Sequence, residues 1–338
     1  MTTVVSNFDE LERAVSCAKE RDIILVNGRI KFENKLLIDK SISIYGAMKD
    51  AEFFADDDMQ LIEITQGAVF VDIGYMFINV ENITSEYVIH VNDSELMIDN
   101  CFIKGDINNN IKYGINVSNA HVFICHTDIS GFDFGIAAVD STHVTVSDCV
   151  VCDCKTNIYL RATSNVDITL SNIVDSVSAC QGHSGILAEL CRRIFIQNNV
   201  IADNVEHGIY LSGCERVSIV DNEIYGNKMH GIRLGKYGDD MRTGSITIFD
   251  NVIMRNKSGI NMSEYVNSVM VYENIIRNNS NFGIDRGASG DNAANNNFFV
   301  NNTLSQNASI DQLRGMESEP RDDVFINNKI IPHPSFMG

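Results

Sequence analysis

Apolar and polar residues alternate in short runs along most of this chain, and the runs return in the same order. HGIYLSGCERVSIVDNEIYGNKM, residues 207–229, is followed at once by HGIRLGKYGDDMRTGSITIFDNVIMRNKS. Each block opens on a Gly-Ile strand, runs through a second alternating strand to an Asp-Asn corner, and closes with a short third strand and a polar exit. Period-two alternation bounded by Gly, Asn and Asp specifies strands. Same-sense repetition at this length favours parallel stacking over hairpins. Gly114, Gly135, Asn157, Gly185, Gly208, Gly231, Gly259 and Gly283 fall in one column, 21 to 28 residues apart. Asn199, Asn222, Asn251, Asn274, Asn302 and Asn328 form a second column in the same register.

Upstream, DIILVNG, LLIDKSISIYG, LIEITQGAVFVDIGYMFINV and VIHVNDSELMIDNCFI read as earlier coils with a weaker consensus. Residues 7–20 carry helical spacing instead. Asn7 with Glu10 makes a capping pair, and Phe8, Leu11, Val15 and Ala18 share a face that suits covering the open end of a stack. The expectation is an all-β, single-domain parallel β-helix of about 11–12 coils. Residues 1–22 form its capping segment, 23–330 the coils, and 331–338, with Pro332 and Pro334, a tail. A leucine-rich repeat is excluded, because no coil carries a leucine framework or its own helix.

These repeated Gly-Ile starts and Asp/Glu-Asn corners resemble the right-handed parallel β-helix superfamily of pectate-lyase-like and NosD-like proteins, many of them carbohydrate-binding proteins and sugar hydrolases. The resemblance covers roughly residues 23–330 and implies a right-handed coil and a glycan or polysaccharide partner. QGHSG and GIRLGK are similar to the Gly-His-Gly and Arg-Ile-Lys elements of polygalacturonase-type hydrolases, but the companion Asn-Thr-Asp and Asp-Asp motifs are absent. FGIDRGASGD begins like the Asp-Pro-His signature of mannuronan epimerases and lacks its proline and histidine.

Composition narrows the partners. A formal charge of -19 repels nucleic acid and anionic membrane surfaces. No run approaches membrane-span length. The N-terminus lacks a basic start followed by an apolar core, so the expected location is cytoplasmic or virion-associated unless a leader has been removed. A homo-oligomer is compatible with the sequence and not specified by it. The 37 asparagines suit corners that visit left-handed backbone and stack their amides. Nine cysteines do not make a disulfide framework. Cys149 shares a corner column with Cys101 and Asn199, and Cys191 recurs as Cys214, so buried reduced thiols are expected rather than a metal site.

Alternation turns each Gly-Ile isoleucine and the second residue after it inward, and leaves the residues between them outward. The outward column includes Tyr159, Tyr210, Arg233, Asn261 and Asp285, with Arg161 and Glu189 beside it. His183, His207 and His230 stand at its leading edge. Two long coils, with extra residues at 178–184 and 236–244, would wall a cleft and bring in Lys236, Asp239 and Asp240.

Lyase or epimerase chemistry on a uronic-acid polymer needs the sugar carboxylate neutralised, the C5 proton removed and a second proton handled. Arg161 and Arg233 suit the carboxylate. Tyr210 is the preferred base or acid, with His207 or His230 as partner and Glu189 in the same catalytic set. Tyr159, Arg161, His183, Lys236, Asp239, Asp240, Asn261 and Asp285 are the expected substrate-binding residues. No cofactor is required, although a calcium-assisted variant would draw oxygens from Glu189, Asp239 or Asp240. Two rivals stand beside this reading. A glycoside hydrolase would pair Glu189 with Asp239, Asp240 or Asp285. A non-catalytic glycan-binding or structural β-helix would use outward Tyr and Arg only to shield strands.

Overall fold

The computed structural model describes the chain except residues 67, 69, 82, 110, 178–182, 239–240, 264, 287–295, 309–312, 315–322 and 332–338, with backbone only at 313–314. Among the described residues the fold is all-β apart from one α-helix and a single 3-10 turn. Strands stack in parallel in three sheets, giving a solenoid of about 12 turns. The coils divide into two compact units, Met1–Tyr159 and Leu160–Gly338.

In the first unit the helix Phe8–Cys17 is capped as its sequence requires. Glu10 N–H donates to Asn7 Oδ1 at 3.0 Å, and Ser6 N–H donates to the Glu10 carboxylate at 2.8 Å. Phe8 lies against Phe32, which meets Phe53 edge-on, so the helix extends an aromatic stack inside the first coils. The strand Thr2–Val5 pairs in parallel with Ile23–Val26. The coil therefore begins before the helix, not at residue 23. This short run flanked by a polar segment carries no repeat signal.

The expected register holds in both units. Gly114 lies opposite Gly135, between the pairs Tyr113 with Phe134 and Ile115 with Ile136. In the second unit Ile186, Ile209, Ile232, Ile260 and Ile284 stack in one buried row. Each such isoleucine contributes about 1.5–3 kcal/mol by leaving water.

Asparagines such as Asn198, Asn278, Asn301 and Asn327 take left-handed backbone, as expected, but the corner column does not. Asn222, Asn251 and Asn274 are not the left-handed residues; their predecessors Asp221, Asp250 and Glu273 are, at φ of 53°, 57° and 58°. The asparagine that follows points inward and builds a ladder. Asn199, Asn222, Asn251, Asn274, Asn302 and Asn328 pass a side-chain hydrogen bond from coil to coil at 2.9–3.0 Å. Each acceptor oxygen also takes the backbone N–H of the preceding ladder residue. A second ladder, Asn204, Asn227, Asn256, Asn279 and Asn307, runs at another corner. It explains the Gly-Ile starts, since a Cβ on Gly208 would lie 2.9 Å from Asn227 Nδ2 and 2.7 Å from the Gly231 carbonyl oxygen. Glycine there serves close approach.

No disulfide joins the described cysteines, and Cys101, Cys149, Cys154, Cys191 and Cys214 are buried. Burial pushes the thiols of Cys101, Cys149 and Cys154 up to about 12. They pack as small apolar groups that donate weakly to carbonyls, Cys149 to that of Ile124 at 3.4 Å.

Candidate functional site

In the second unit the strands Ser184–Glu189, His207–Ser212, His230–Gly235 and Ser258–Met262 place Leu187, Tyr210, Arg233 and Asn261 side by side, with Asp285 next. The outward row is the one the alternation specifies. Its surroundings are less open than alternation suggests: Leu187 and Asp285 are buried.

Four of the sequence-selected residues touch one another. His207 is only 2% exposed. Its ring stacks parallel to that of His230, with centroids 5.2 Å apart and planes 4° apart, and meets Tyr210 nearly edge-on at 5.5 Å. The Arg233 guanidinium sits 4.8 Å over the Tyr210 ring, a cation–π contact. Its Nη1 is 3.1 Å from His207 Nε2. Gly235 leaves room for the phenol, because a Cβ there would come within 3.3 Å of the Tyr210 hydroxyl.

Proton accounting at this cluster is informative. The His230 backbone N–H donates to His207 Nδ1 at 3.3 Å, which assigns the proton of the neutral ring to Nε2. That N–H then faces the Arg233 guanidinium, donor against donor. Arg233 Nε and His230 Nδ1 are buried and have no hydrogen-bond partner among the described residues. Burial, then the charges of His230, Arg233 and Lys257, lower His207 to about 3. Burial and Arg233 lower His230 to about 4, with the Asp285 charge opposing them. Both rings are therefore neutral at pH 7. An anionic acceptor placed at this point would satisfy donors that the protein leaves facing each other.

The long coil after GIRLG forms a small excursion. Tyr237 and Met241 exchange two backbone hydrogen bonds at 3.1 and 3.2 Å. The Tyr237 hydroxyl accepts from Arg161 Nη2 at 3.3 Å, so Arg161 is held by the excursion. Lys236 Nζ lies 5.0 Å over the Tyr265 ring. Its carbonyl accepts from Ser212 Oγ at 2.8 Å, and Ser212 pairs with Glu189 in the adjoining row. His183 immediately precedes Ser184, the residue opposite His207.

Tyr159 falls in the first unit, where its ring leans on Phe134 at 5.3 Å. Asp239 and Asp240 lie outside the described residues. Sequence reasoning passed over Tyr237 and Tyr265, which hold Arg161 and Lys236. Tyr237 stands next to Lys236 in the lengthened coil, which is a signal; Tyr265, further along the chain, carries none. No group of three or more His, Cys, Asp and Glu side chains is placed to hold a metal ion among the described residues.

Several solved structures are similar in fold. The Dettilon tailspike protein (gp208) aligns with a TM-score of 0.64 at 16% identity over 96% of this chain and 64% of its own, so this chain spans less than two thirds of the tailspike's length. A variant of the periplasmic alginate epimerase AlgG aligns with a TM-score of 0.58 at 16% identity, over 98% of this chain and 85% of the epimerase. The catalytic domain of a GH87 alpha-1,3-glucanase aligns with a TM-score of 0.55 at 12% identity, over 96% and 68%. At these identities the likeness shows the fold alone. A comparison with curated proteins finds no match. A family model described as periplasmic copper-binding protein (NosD) matches residues 63–293.

Proposed function

The chain belongs to the NosD family of right-handed β-helix proteins, and on that premise we propose that it acts on an extended acidic polysaccharide, as a lyase or C5-epimerase, at the face holding His207, Tyr210, His230 and Arg233. The observation that carries this reading is the pair of mutually facing donors, His207 Nε2–H and the Arg233 guanidinium, beside the unpartnered Arg233 Nε. A uronate carboxylate supplies the missing acceptor, and its neutralisation acidifies the C5 proton. Tyr210, under the guanidinium, is the group assigned to proton transfer, with the neutral His207 ring beside Arg233. Glu189, Asn261 and Asp285 border the site along the strand ladder, and Arg161, Lys236 and His183 line its approaches. Elimination expels the 4-oxygen of the sugar; epimerisation returns a proton to the opposite face of C5.

An alginate epimerase and a glucanase are both among the similar folds, so the acidic-polymer class rests on the facing donors and not on the likeness. The copper named in the family description does not fit the described residues. The His207 and His230 rings lie parallel instead of converging, and Nδ1 of His207 is taken by a backbone N–H. A calcium-assisted form would rest on Glu189 with Asp239 and Asp240, and is read by comparing activity with and without a chelator.

The test is a panel of polymannuronate, polyguluronate and polygalacturonate, followed by unsaturated-product absorbance and by deuterium exchange at C5. Tyr210→Phe and Arg233→Ala should each lower conversion by roughly 100-fold. Full conversion by both variants would remove the site assignment. A non-catalytic glycan-binding reading is favoured by one observation: the Arg233 guanidinium and the His207 ring both pack against the Tyr210 ring in a compact cluster. Binding of these polymers without any change in product mass would establish that reading. Release of reducing ends without unsaturation would point instead to hydrolysis with Glu189 and Asp285.

A further inference from the structure

We propose, resting on the uronate site assigned above, that Lys257 holds the carboxylate of the sugar next to the one neutralised by Arg233. The face then takes a polymer of consecutive uronates and discriminates against one in which uronates alternate with neutral sugars. Lys257 immediately precedes the strand Ser258–Met262, whose Ser258 and Asn261 lie opposite His230 and Arg233. It is exposed, and it stands outside the alternating column that picks out Arg233.

Acidic side chains outnumber basic ones by 45 to 26, so a carboxylate is the partner a lysine ordinarily finds here. Lys31, Lys35, Lys104 and Lys155 each form an ion pair. Among the described residues Lys257 Nζ meets only the Met229 sulfur, at 3.9 Å, while its backbone N–H donates to the Met229 carbonyl at 2.7 Å. A thioether is a weak acceptor and leaves the ammonium charge uncompensated. That charge reaches the site. At His207 and His230 burial comes first, and the charges of Arg233 and Lys257 then act together against protonation. Asp285 opposes them at His230 but is itself buried. Two cations thus act on one pair of neutral rings.

The cations are offset by one coil. Arg233 reaches back to His207 on the coil before its own, and Lys257 reaches back to Met229 on the coil before its own, so the charged ends keep the offset of their strands. One coil is roughly 4.8 Å, close to the advance of one pyranose unit in an extended chain. They also stand toward opposite ends of the His207 ring. Nε2 faces Arg233, whereas Nδ1 accepts from the His230 N–H at the strand entry, the end at which Met229 and Lys257 lie. Successive sugars of an extended 1,4-linked uronan are turned over relative to each other, so their carboxylates leave on alternate sides. A chain laid across the strands therefore presents one carboxylate to Arg233 and the next to Lys257. Where every second sugar is neutral, only one of the two cations finds an acceptor.

The experiment is calorimetric titration of the full chain with hexamannuronate, hexaguluronate and hexagalacturonate, and with a hyaluronan hexasaccharide, in which glucuronate alternates with a neutral N-acetylhexosamine. The tightest hexauronate should lose affinity roughly tenfold in Lys257→Met, return to within about threefold of the wild type in Lys257→Arg, and bind at least about tenfold more tightly than the hyaluronan hexasaccharide. Its affinity should also fall less steeply with added salt in Lys257→Met, because one ion pair fewer is screened. A change of less than about twofold in Lys257→Met, where Arg233→Ala weakens the same hexauronate, overturns the assignment of Lys257 and leaves that of Arg233 standing. Equal affinity for the hyaluronan hexasaccharide and the hexauronate overturns it as well. Absence of binding by every hexauronate at millimolar concentration overturns the uronate reading and this proposal together.

Discussion

The same corner of the coil is built in two ways in the two units, and the difference separates what repeats from what merely fits. In the second unit that corner is asparagine in coil after coil, from Asn199 to Asn328. An amide carries two donors and an acceptor, so each Asn can bond its own coil, the coil before and the coil after. In the first unit the corner holds Cys101, Thr127 and Cys149. Thr127 Oγ1 accepts from the Cys101 N–H at 3.3 Å and spends its single proton on the Cys125 carbonyl at 2.7 Å. That proton is not passed on to Cys149, whose thiol instead donates weakly to the Ile124 carbonyl at 3.4 Å. Packing fills the interior of both units, with Phe32, Phe53 and Phe132 in the first and Phe299 in the second among the largest fully buried side chains. A polar ladder propagates only if every rung has the same chemistry, whereas an apolar corner accepts any residue of suitable volume.

The contrast can be broken most directly at a middle rung. Asn251→Ala leaves the backbone N–H of Asn222 without its acceptor, while Asn222 Nδ2 keeps the Ile196 and Val220 carbonyls. The expected loss is on the order of 4 kcal/mol, from that buried N–H and from the bonds that Asn251 Nδ2 makes to the Ile219 and Phe249 carbonyls, read as a lower denaturation midpoint. Next is Gly231→Ala, whose Cβ would lie 2.8 Å from the Gly259 carbonyl oxygen and 2.9 Å from Asn256 Nδ2. Because backbone and ladder must both give way, the cost should approach about 3 kcal/mol, the upper end of ordinary over-packing.

Acid probes the buried imidazoles. His207 stays neutral in the folded chain down to about 3, while an unfolded histidine takes up a proton near its ordinary value of 6.5. Stability is therefore lost as pH falls below 6.5 toward 3. From pH 7 to pH 5 the loss from this ring is about 2 kcal/mol. His207→Gln should show a correspondingly shallower pH dependence in urea titrations, and equal slopes would place the acid sensitivity elsewhere. Smallest is Thr127→Ala in the first unit, expected to cost about 1 kcal/mol, since only one side-chain hydroxyl is removed. A loss as large as that of Asn251→Ala would show that the first unit also depends on a polar corner.

Much of the fold was legible because glycine and asparagine recur for geometric reasons that leave few substitutes. The Gly208 position cannot hold a Cβ against Asn227, and Asn222 cannot be replaced in the chain of amides, so both columns surface as letters. The strand Thr2–Val5 was invisible because four residues without a repeat partner in sequence carry no period. An outward pair in the first unit, Glu63 and His90, was hidden differently. Val88 stands where later coils have glycine, so the pair did not fall into the column that picked out Tyr210 and Arg233.

By itself the sequence determined the coil: the inward isoleucines, the glycine column, the asparagine corner and the outward row follow from period-two alternation and from steric limits at each position. Only the tertiary structure decided which outward residues meet. Contact between His207 and Arg233 depends on coil-to-coil stacking, and the facing of their donors on which ring nitrogen a backbone N–H of the next coil occupies. No spacing along the chain encodes that choice, because it is made between coils.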